Sequence, residues 1–351
     1  MPQKATPSKP HKAQSKTGRS SDDKRKTNSN EQNATNKPSH PLARETQQAI
    51  LDHFTSTLSL TTASLTDLQK TIQSIKSALY ARDFTSAFGS EDFLHAYSAR
   101  WSPSRSLGYA QLLLQESEKV SQLDLKSTRM VCLGGGAGAE LIGLITGWGI
   151  MQQREASHSS RLRLDLVDSA SWTSVLHALG QNLHSLVPDG CSVEYAFHHI
   201  DVLAPSAAEV LCPLLADADL VTLFFTLNEL YATGLGVTTQ FLLELGEGMK
   251  ASARLCVVDS AGSYAGVVFD QETGGQRDQT DTEQGLGKRY PMTWMLDHTL
   301  LELDGQDEQG TQWRRLLADE SRWFRRDKTL EYPLQLEDMR YQVRIFERLG
   351  K

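Results

Sequence analysis

No run of about 18 uncharged apolar residues occurs in the 351-residue chain, so no membrane-spanning helix is expected. The most apolar stretch, Met130 to Met151, is interrupted by Glu140 and dense in glycine, and reads as strand, loop and buried helix. Cysteine is scarce. Cys132, Cys191, Cys212 and Cys256 form no CxxC pair, and at that density they are expected as free, mostly buried thiols of a reducing compartment. No His/Cys spacing resembles a zinc site. The neighbours His198 and His199 would point to opposite faces of a strand, so no metal is expected. No GxSxG nucleophile motif occurs, and no fixed-period repeat, which excludes solenoids and propellers. The first residues lack an apolar core segment and amphipathic spacing, so neither a secretory signal nor a mitochondrial presequence is expected.

What is present is unevenly charged. Residues 1–44 hold 10 Lys/Arg against 3 Asp/Glu, whereas residues 45–351 hold 26 against 40. The basic segment has no aromatic side chain and only Met1 and Leu42 as sizeable apolar ones. It cannot offset its ordering entropy by burial, so a disordered tail is expected.

From Glu45 to Gln122 the pattern is helical: Ile50, Phe54 and Leu58, then Leu68, Ile72, Ile75 and Leu79. An aromatic-rich stretch follows, from Phe84 to Gln115, and residues 45–127 read as a helical N-terminal module. The period then changes. Apolar runs at Arg129–Leu133, Leu162–Val167, Val193–Phe197, Leu220–Phe225 and Leu255–Val258 have the length of buried parallel strands. Helix candidates separate them at Glu140–Met151, Ser171–Leu186, Pro205–Ala216 and Thr238–Met249. This alternation predicts a parallel sheet with helices on both faces. Leu330–Leu334 and Arg340–Glu347 read as two further strands, too close in sequence for a parallel crossover and so antiparallel. Five parallel strands ending in an antiparallel hairpin form the Rossmann-like α/β sheet of a class I methyltransferase, here over residues 128–351. The polar, Gly-rich segment of about residues 271–288 reads as a mobile insertion.

The strongest local signal is Val131-Cys132-Leu133-Gly134-Gly135-Gly136-Ala137-Gly138-Ala139-Glu140, an apolar strand running through glycines into an apolar helix. Glycine lets backbone turn tightly and lie against a ligand, and the helix N-terminus offers free N–H groups to it. Asp168 ends the second strand, where a carboxylate can accept from both ribose hydroxyls, or can cap the next helix. It lies 30 residues beyond Gly138, against the usual spacing of about 20; the polar segment 152–160 accounts for the excess. At the third strand's end, Asp201 is placed to accept from an adenine amino group, with Val202 against the ring. Nicotinamide dinucleotides and S-adenosylmethionine share these features. The antiparallel hairpin and the polar strand-four exit favour S-adenosylmethionine.

With Phe225-Thr226-Leu227-Asn228-Glu229-Leu230, Val257-Val258-Asp259-Ser260-Ala261-Gly262-Ser263-Tyr264, Tyr97-Ser98-Ala99-Arg100-Trp101-Ser102-Pro103-Ser104-Arg105 and Met339-Arg340-Tyr341, the glycine loop completes a pattern. Over residues 45–351 the chain resembles the fungal methyltransferases that act on uridine-N3 of large-subunit rRNA. The resemblance implies a class I fold, S-adenosylmethionine as donor and a uridine of 25S rRNA as target. It also implies rRNA or a pre-ribosomal particle as partner, no membrane, a monomer, and a nuclear or nucleolar place with a cytoplasmic pool. Many methyltransferases carry an acidic residue near the first strand's end. Cys132 stands there, which leaves the methionine ammonium to Glu140 or a loop carbonyl.

Uridine-N3 carries an imide proton that must leave, so a nearby acceptor, or donors to the carbonyl oxygens, are wanted. Strand four delivers Thr226, Asn228 and Glu229, and strand five Asp259 and Ser260. Thr226 is expected on the cofactor side and Asn228 at the uracil edge, with Glu229 or Asp259 taking the proton. Glu229 could instead orient the donor's ammonium, and Asp259 cap a loop. Arg100, Trp101 and Arg105 suit phosphate bridging and base stacking, or equally an aromatic-rich helical core. A protein or small-molecule substrate, and a non-catalytic ribosome-assembly factor of the same fold, stay open; the acidic body weighs against RNA.

Overall fold

Ile50, Leu51 and Phe54 occupy one side of α1 (Arg44–Thr57) and are fully buried, as helical periodicity requires. The computed structural model describes residues 42–120, 126–155, 159–262, 264–266, 289–303 and 312–350; the expected tail, up to residue 41, and the 271–288 insertion lie outside them. α2 (Thr62–Tyr80) turns Leu68, Ile72 and Ile75 inward. Asp83 caps the short α3 (Phe84–Ala87), and Ser90 caps α4 (Glu91–Gln115) by accepting from the Phe93 N–H. A single turn, α5 (Ser117–Val120), leads into the sheet.

The alternation then runs β1 (Ser127–Leu133), α6 (Ala139–Arg154), β2 (Arg161–Asp168), α7 (Thr173–Leu179), β3 (Ser192–His199), α8 (Ala207–Asp217), β4 (Leu220–Phe224), α9 (Leu227–Thr233), α10 (Leu235–Gly248) and β5 (Arg254–Ser260). A two-stranded ribbon of β6 (Tyr264–Gly266) and β7 (Arg289–Pro291) precedes α11 (Met292–His298). β8 (Trp313–Phe324) and β9 (Met339–Arg348) complete the chain. The seven-stranded sheet has the order β3-β2-β1-β4-β5-β9-β8. β1 to β5 are parallel; β9 is antiparallel to β5 and β8 antiparallel to β9. This is the expected α/β sheet with its antiparallel end.

Strand residues alternate between two cores. Met130 and Cys132 face the α1–α2–α4–α6 side, while Val131 and Leu133 face the side of α8, α10 and α11. α4 is buried along most of its length and lies against α6 at very short range. A Cβ added to Gly143 would sit 2.6 Å from the Ser106 carbonyl oxygen, so only glycine admits this approach.

Two expectations are corrected. The partner of β9 is Trp313–Phe324, not Leu330–Leu334. Leu330, Leu334 and Leu336 are buried in an irregular connection packed on the N-terminal helices, where the Tyr332 hydroxyl donates to the Ala99 carbonyl. The helix expected over Ser171–Leu186 ends at Leu179. A Cβ on Gly180 would meet the Tyr195 ring, Asn182 takes a left-handed turn (φ 58°), and a separate turn covers Leu183–Leu186.

Candidate active site

The glycine loop joins β1 to α6 and is held from three directions. From β2, the Val167 carbonyl accepts from Gly134 N–H at 2.8 Å, and the Asp168 carboxylate accepts from Gly136 N–H at 3.0 Å. From β4, Thr226 abuts Gly134 so closely that a Cβ there would lie 2.0 Å from its Oγ1. Gly134 also has φ +81°, so two independent reasons demand glycine. From α4, the buried hydroxyls of Ser98 and Ser102 donate to the Ala137 carbonyl at 2.9 and 2.7 Å, and Ser106 donates to that of Ala139. Spacing of four places all three serines on one helix face. Nothing in a sequence motif marks them except that spacing.

A cavity of about 210 Å³ lies at the carboxyl ends of β1, β2, β3 and β4, where ligands of open α/β sheets bind. It brings together Gly134, Asp168, Asp201, Val202, Thr226, Glu229 and Arg105 of the residues singled out in the sequence. Asp201 is exposed, and its carboxylate accepts from the Leu203 N–H. Gly135, Gly136 and Gly138 lie in the loop behind the cavity wall, Gly138 serving as N-cap of α6, and Glu140 is buried in that helix's first turn.

The remaining residues lie elsewhere. Asp259 is buried at the end of β5 and accepts from the Asn228 and Ser260 N–H groups at 3.0 and 2.7 Å, tying β5 to the start of α9. Asn228 is half-buried beside it. Arg100 is 3% exposed and ion-paired with Glu337, so it is built into the fold rather than offered to solvent. Trp101 is half-buried, its ring 4.8 Å from that of Tyr97. Arg105, by contrast part of the cavity wall, donates to the Tyr97 hydroxyl at 2.8 Å and lies over the Phe225 ring at 4.9 Å. His198 meets Asp165 and His199 the Ser169 carbonyl; among the described residues no three His, Cys, Asp or Glu converge for a metal.

Phe225 went unremarked in the sequence as a site residue. It has φ 56°, uncommon for a bulky side chain, and lines the cavity at the exit of β4. A strained backbone leaves no compositional trace, which is why it could not be read in advance.

The electrostatics are one-sided. Burial pushes Glu229 up to about 7, with Arg105 opposing and Asp168 and Asp259 adding to the rise. Burial raises Glu140 to about 8, opposed by its own N–H and by Arg105. Asp168 and Asp259 are likewise raised by burial, against the backbone N–H groups they accept from. Of these four carboxyl groups, Glu229, Glu140 and Asp259 feel the one Arg105 guanidinium, and each is costly to ionise without a further cation.

A family profile described as "Putative SAM-dependent methyltransferase" matches residues 53–347. The chain belongs to this family. It is 29% identical over 302 residues to the 25S rRNA (uridine(2843)-N(3))-methyltransferase of Saccharomyces cerevisiae, a match spanning 80% of this chain and 78% of that protein. Among solved structures, a SAM-dependent methyltransferase of Methanosarcina mazei matches at 12% identity and TM-score 0.38, over 66% of this chain and 98% of that one. Human N-acetylserotonin methyltransferase in complex with SAM matches at 15% identity and TM-score 0.34, over 76% and 59% respectively.

The methyltransferase uses S-adenosylmethionine, and its cavity fits such a ligand on physical grounds. The donor carries a sulfonium and an ammonium against one carboxylate. A surplus of partly protonated acids around Arg105 suits that net positive charge. The glycine loop is free of Cβ atoms where Thr226, Trp172 and Leu179 crowd it, and its Gly134 forms part of the cavity wall.

Proposed function

We propose that this methyltransferase modifies N3 of a uridine in large-subunit rRNA, acting on rRNA or a pre-ribosomal particle as a monomer, largely in the nucleus or nucleolus. The observation that carries the reading is the likeness to the yeast enzyme, which its name assigns to a 25S rRNA uridine and which is matched along four fifths of this chain.

In this reading Gly134 presents backbone to the cofactor, Gly135, Gly136 and Gly138 let the loop pack behind it, Asp168 takes the ribose hydroxyls, and Asp201 with Val202 takes the adenine. Thr226 supports the loop, and Glu140 supplies negative charge behind it. Bound S-adenosylmethionine supplies a methyl group on a positively charged sulfur. The chain's own task is orientation and removal of the imide proton. Glu229 is the better acceptor, because it lines the cavity and titrates near neutrality, where a general base works best. Asp259 is not part of the cavity wall and accepts from the Asn228 and Ser260 N–H groups, and so acts as a positioning residue for the start of α9, which carries Asn228 and Glu229. Arg105, in the same cavity, is placed to stabilise charge developing on a uracil carbonyl oxygen.

Nucleoside analysis of large-subunit rRNA from cells lacking the protein tests the reading. A 3-methyluridine should disappear and return with the wild-type chain; its persistence in the mutant would sink the assignment. In vitro, Glu229→Gln should lower kcat by about 10²–10⁴-fold at neutral pH, the usual worth of a positioned base. Asp259→Asn should act mainly through a less ordered Asn228.

A further inference from the structure

A second cavity, of about 250 Å³, adjoins the cofactor cavity and shares Arg105 and Phe225 with it as walls. Its surfaces are of two kinds. Phe225, Trp101 and Met339 offer broad apolar faces, while Ser260, Arg340 and Arg100 offer hydrogen-bond donors beside the Glu337 carboxylate that Arg100 pairs with. Arg100 carries an unusual burden: its ion pair with Glu337 leaves Nη1 buried without a hydrogen-bond partner. A buried donor of this kind destabilises its surroundings until an acceptor arrives, because it has given up water and received nothing in exchange. Phe225 presents its ring from a left-handed backbone position, φ 56°, the sort of strain that persists where a side chain must be aimed.

We propose that this second cavity receives the pyrimidine base of the RNA strand that is to be methylated. The inference rests on the RNA reading above and deepens it. A uracil ring presents two flat faces and an edge on which carbonyl oxygens flank the imide N–H. The cavity answers with aromatic and thioether faces and with guanidinium and hydroxyl donors. The shared wall of Arg105 and Phe225 sets that edge next to the cavity in which Glu229 lies. A phosphate alone would use the arginines but leave the apolar faces unexplained.

The site also continues outward. Arg340 pairs across the β8–β9 ladder with Trp323, which places both side chains on one face of the sheet. Trp323 is 46% exposed, and the Arg325 guanidinium lies 3.6 Å from its ring centroid. An exposed aromatic flanked by arginines is the stacking and phosphate-binding platform that single strands use. The nucleotide next to the target base is therefore held on Trp323.

Photo-cross-linking of the full chain to a single-stranded rRNA fragment carrying 4-thiouridine at the target position provides the test, with peptide mapping as readout. Adducts should fall on peptides holding Trp101, Phe225 or Met339. In steady state, Arg340→Ala and Trp323→Ala should each raise the RNA KM at least about fivefold, with cofactor Kd changed less than twofold. Adducts confined to other peptides, or both variants within twofold of wild-type KM, overturn the proposal. The two readings fail separately. A wild-type chain that forms 3-methyluridine but cross-links elsewhere loses the second cavity and keeps the function. A chain that cross-links here without forming 3-methyluridine keeps a pyrimidine site and loses the uridine-N3 assignment.

Discussion

Glu140 and Glu229 titrate far above ordinary carboxyl groups because the fold buries them near one another's negative neighbours. A cationic cofactor favours their ionised forms, so its binding should expel protons. Affinity for S-adenosylmethionine is expected to rise from pH 6 to about 8, by up to about tenfold per unit while one group titrates, and to level off above that. Calorimetry in two buffers of different ionisation enthalpy reads the proton release directly; a flat profile would remove the electrostatic account. The cofactor-free protein should show the reverse trend in stability. Both folded pKa values lie above the unfolded 4.5, so the contribution is full below that pH and is lost as pH rises through about 7 and about 8. Thermal melts between pH 5 and 8, with and without saturating cofactor, check this. Gly134→Ala makes a sharper demand on one residue: φ +81° and a Cβ 2.0 Å from Thr226 Oγ1 should weaken cofactor binding more than tenfold.

At the scale of elements, α4 is the part that sequence reading undervalued. Its serines brace the glycine loop, and its Arg100, Trp101 and Arg105 line the second cavity. The double substitution Ser98→Ala and Ser102→Ala removes both donors to the Ala137 carbonyl. It should cost about 1–3 kcal/mol in urea unfolding and loosen the cofactor Kd, whereas either single change should cost less because the other hydroxyl remains. β1 to β5 were legible because strands buried on both faces read as Val- and Leu-rich runs. β8 was not. As the edge strand it tolerates Arg314, Arg315, Asp319, Glu320 and Arg322, and two register shifts break its alternation. Leu330 and Leu334 look strand-like because they are buried, but against helices rather than in the ladder. The site divides the same way. Gly134, Asp168 and Thr226 lie at or just beyond the ends of parallel strands, Glu229 lies in the first turn of α9, and the cavity unites them. The strained Phe225, the Arg100–Glu337 pair and the serine brace depend on contacts between segments far apart in sequence, which no local pattern encodes.

Over the whole molecule, charge is partitioned: residues 1–44 are strongly basic and the rest is acidic. Removing residues 1–41 should weaken RNA binding and flatten its salt dependence, by about 0.7 in log–log slope for each single-strand phosphate that the basic segment neutralises, with cofactor Kd unchanged. An unaltered slope would mean that the basic segment plays no part in RNA attraction. The chain also closes on itself. The Gln48 amide donates to the Glu331 carbonyl and accepts from the Glu331 N–H, while Arg44 donates to Thr329. β9, near the C-terminus, enters the sheet beside β5. During synthesis the first helices therefore emerge without their final partners, 283 residues ahead of the segment that covers them. At about 5–20 residues per second, that leaves roughly 15–60 s in which Ile50, Phe54 and their neighbours have no completed core. Early termination anywhere before Glu331 would make the interval permanent, so such nascent chains should be bound by chaperones or degraded rather than accumulate as a partial enzyme.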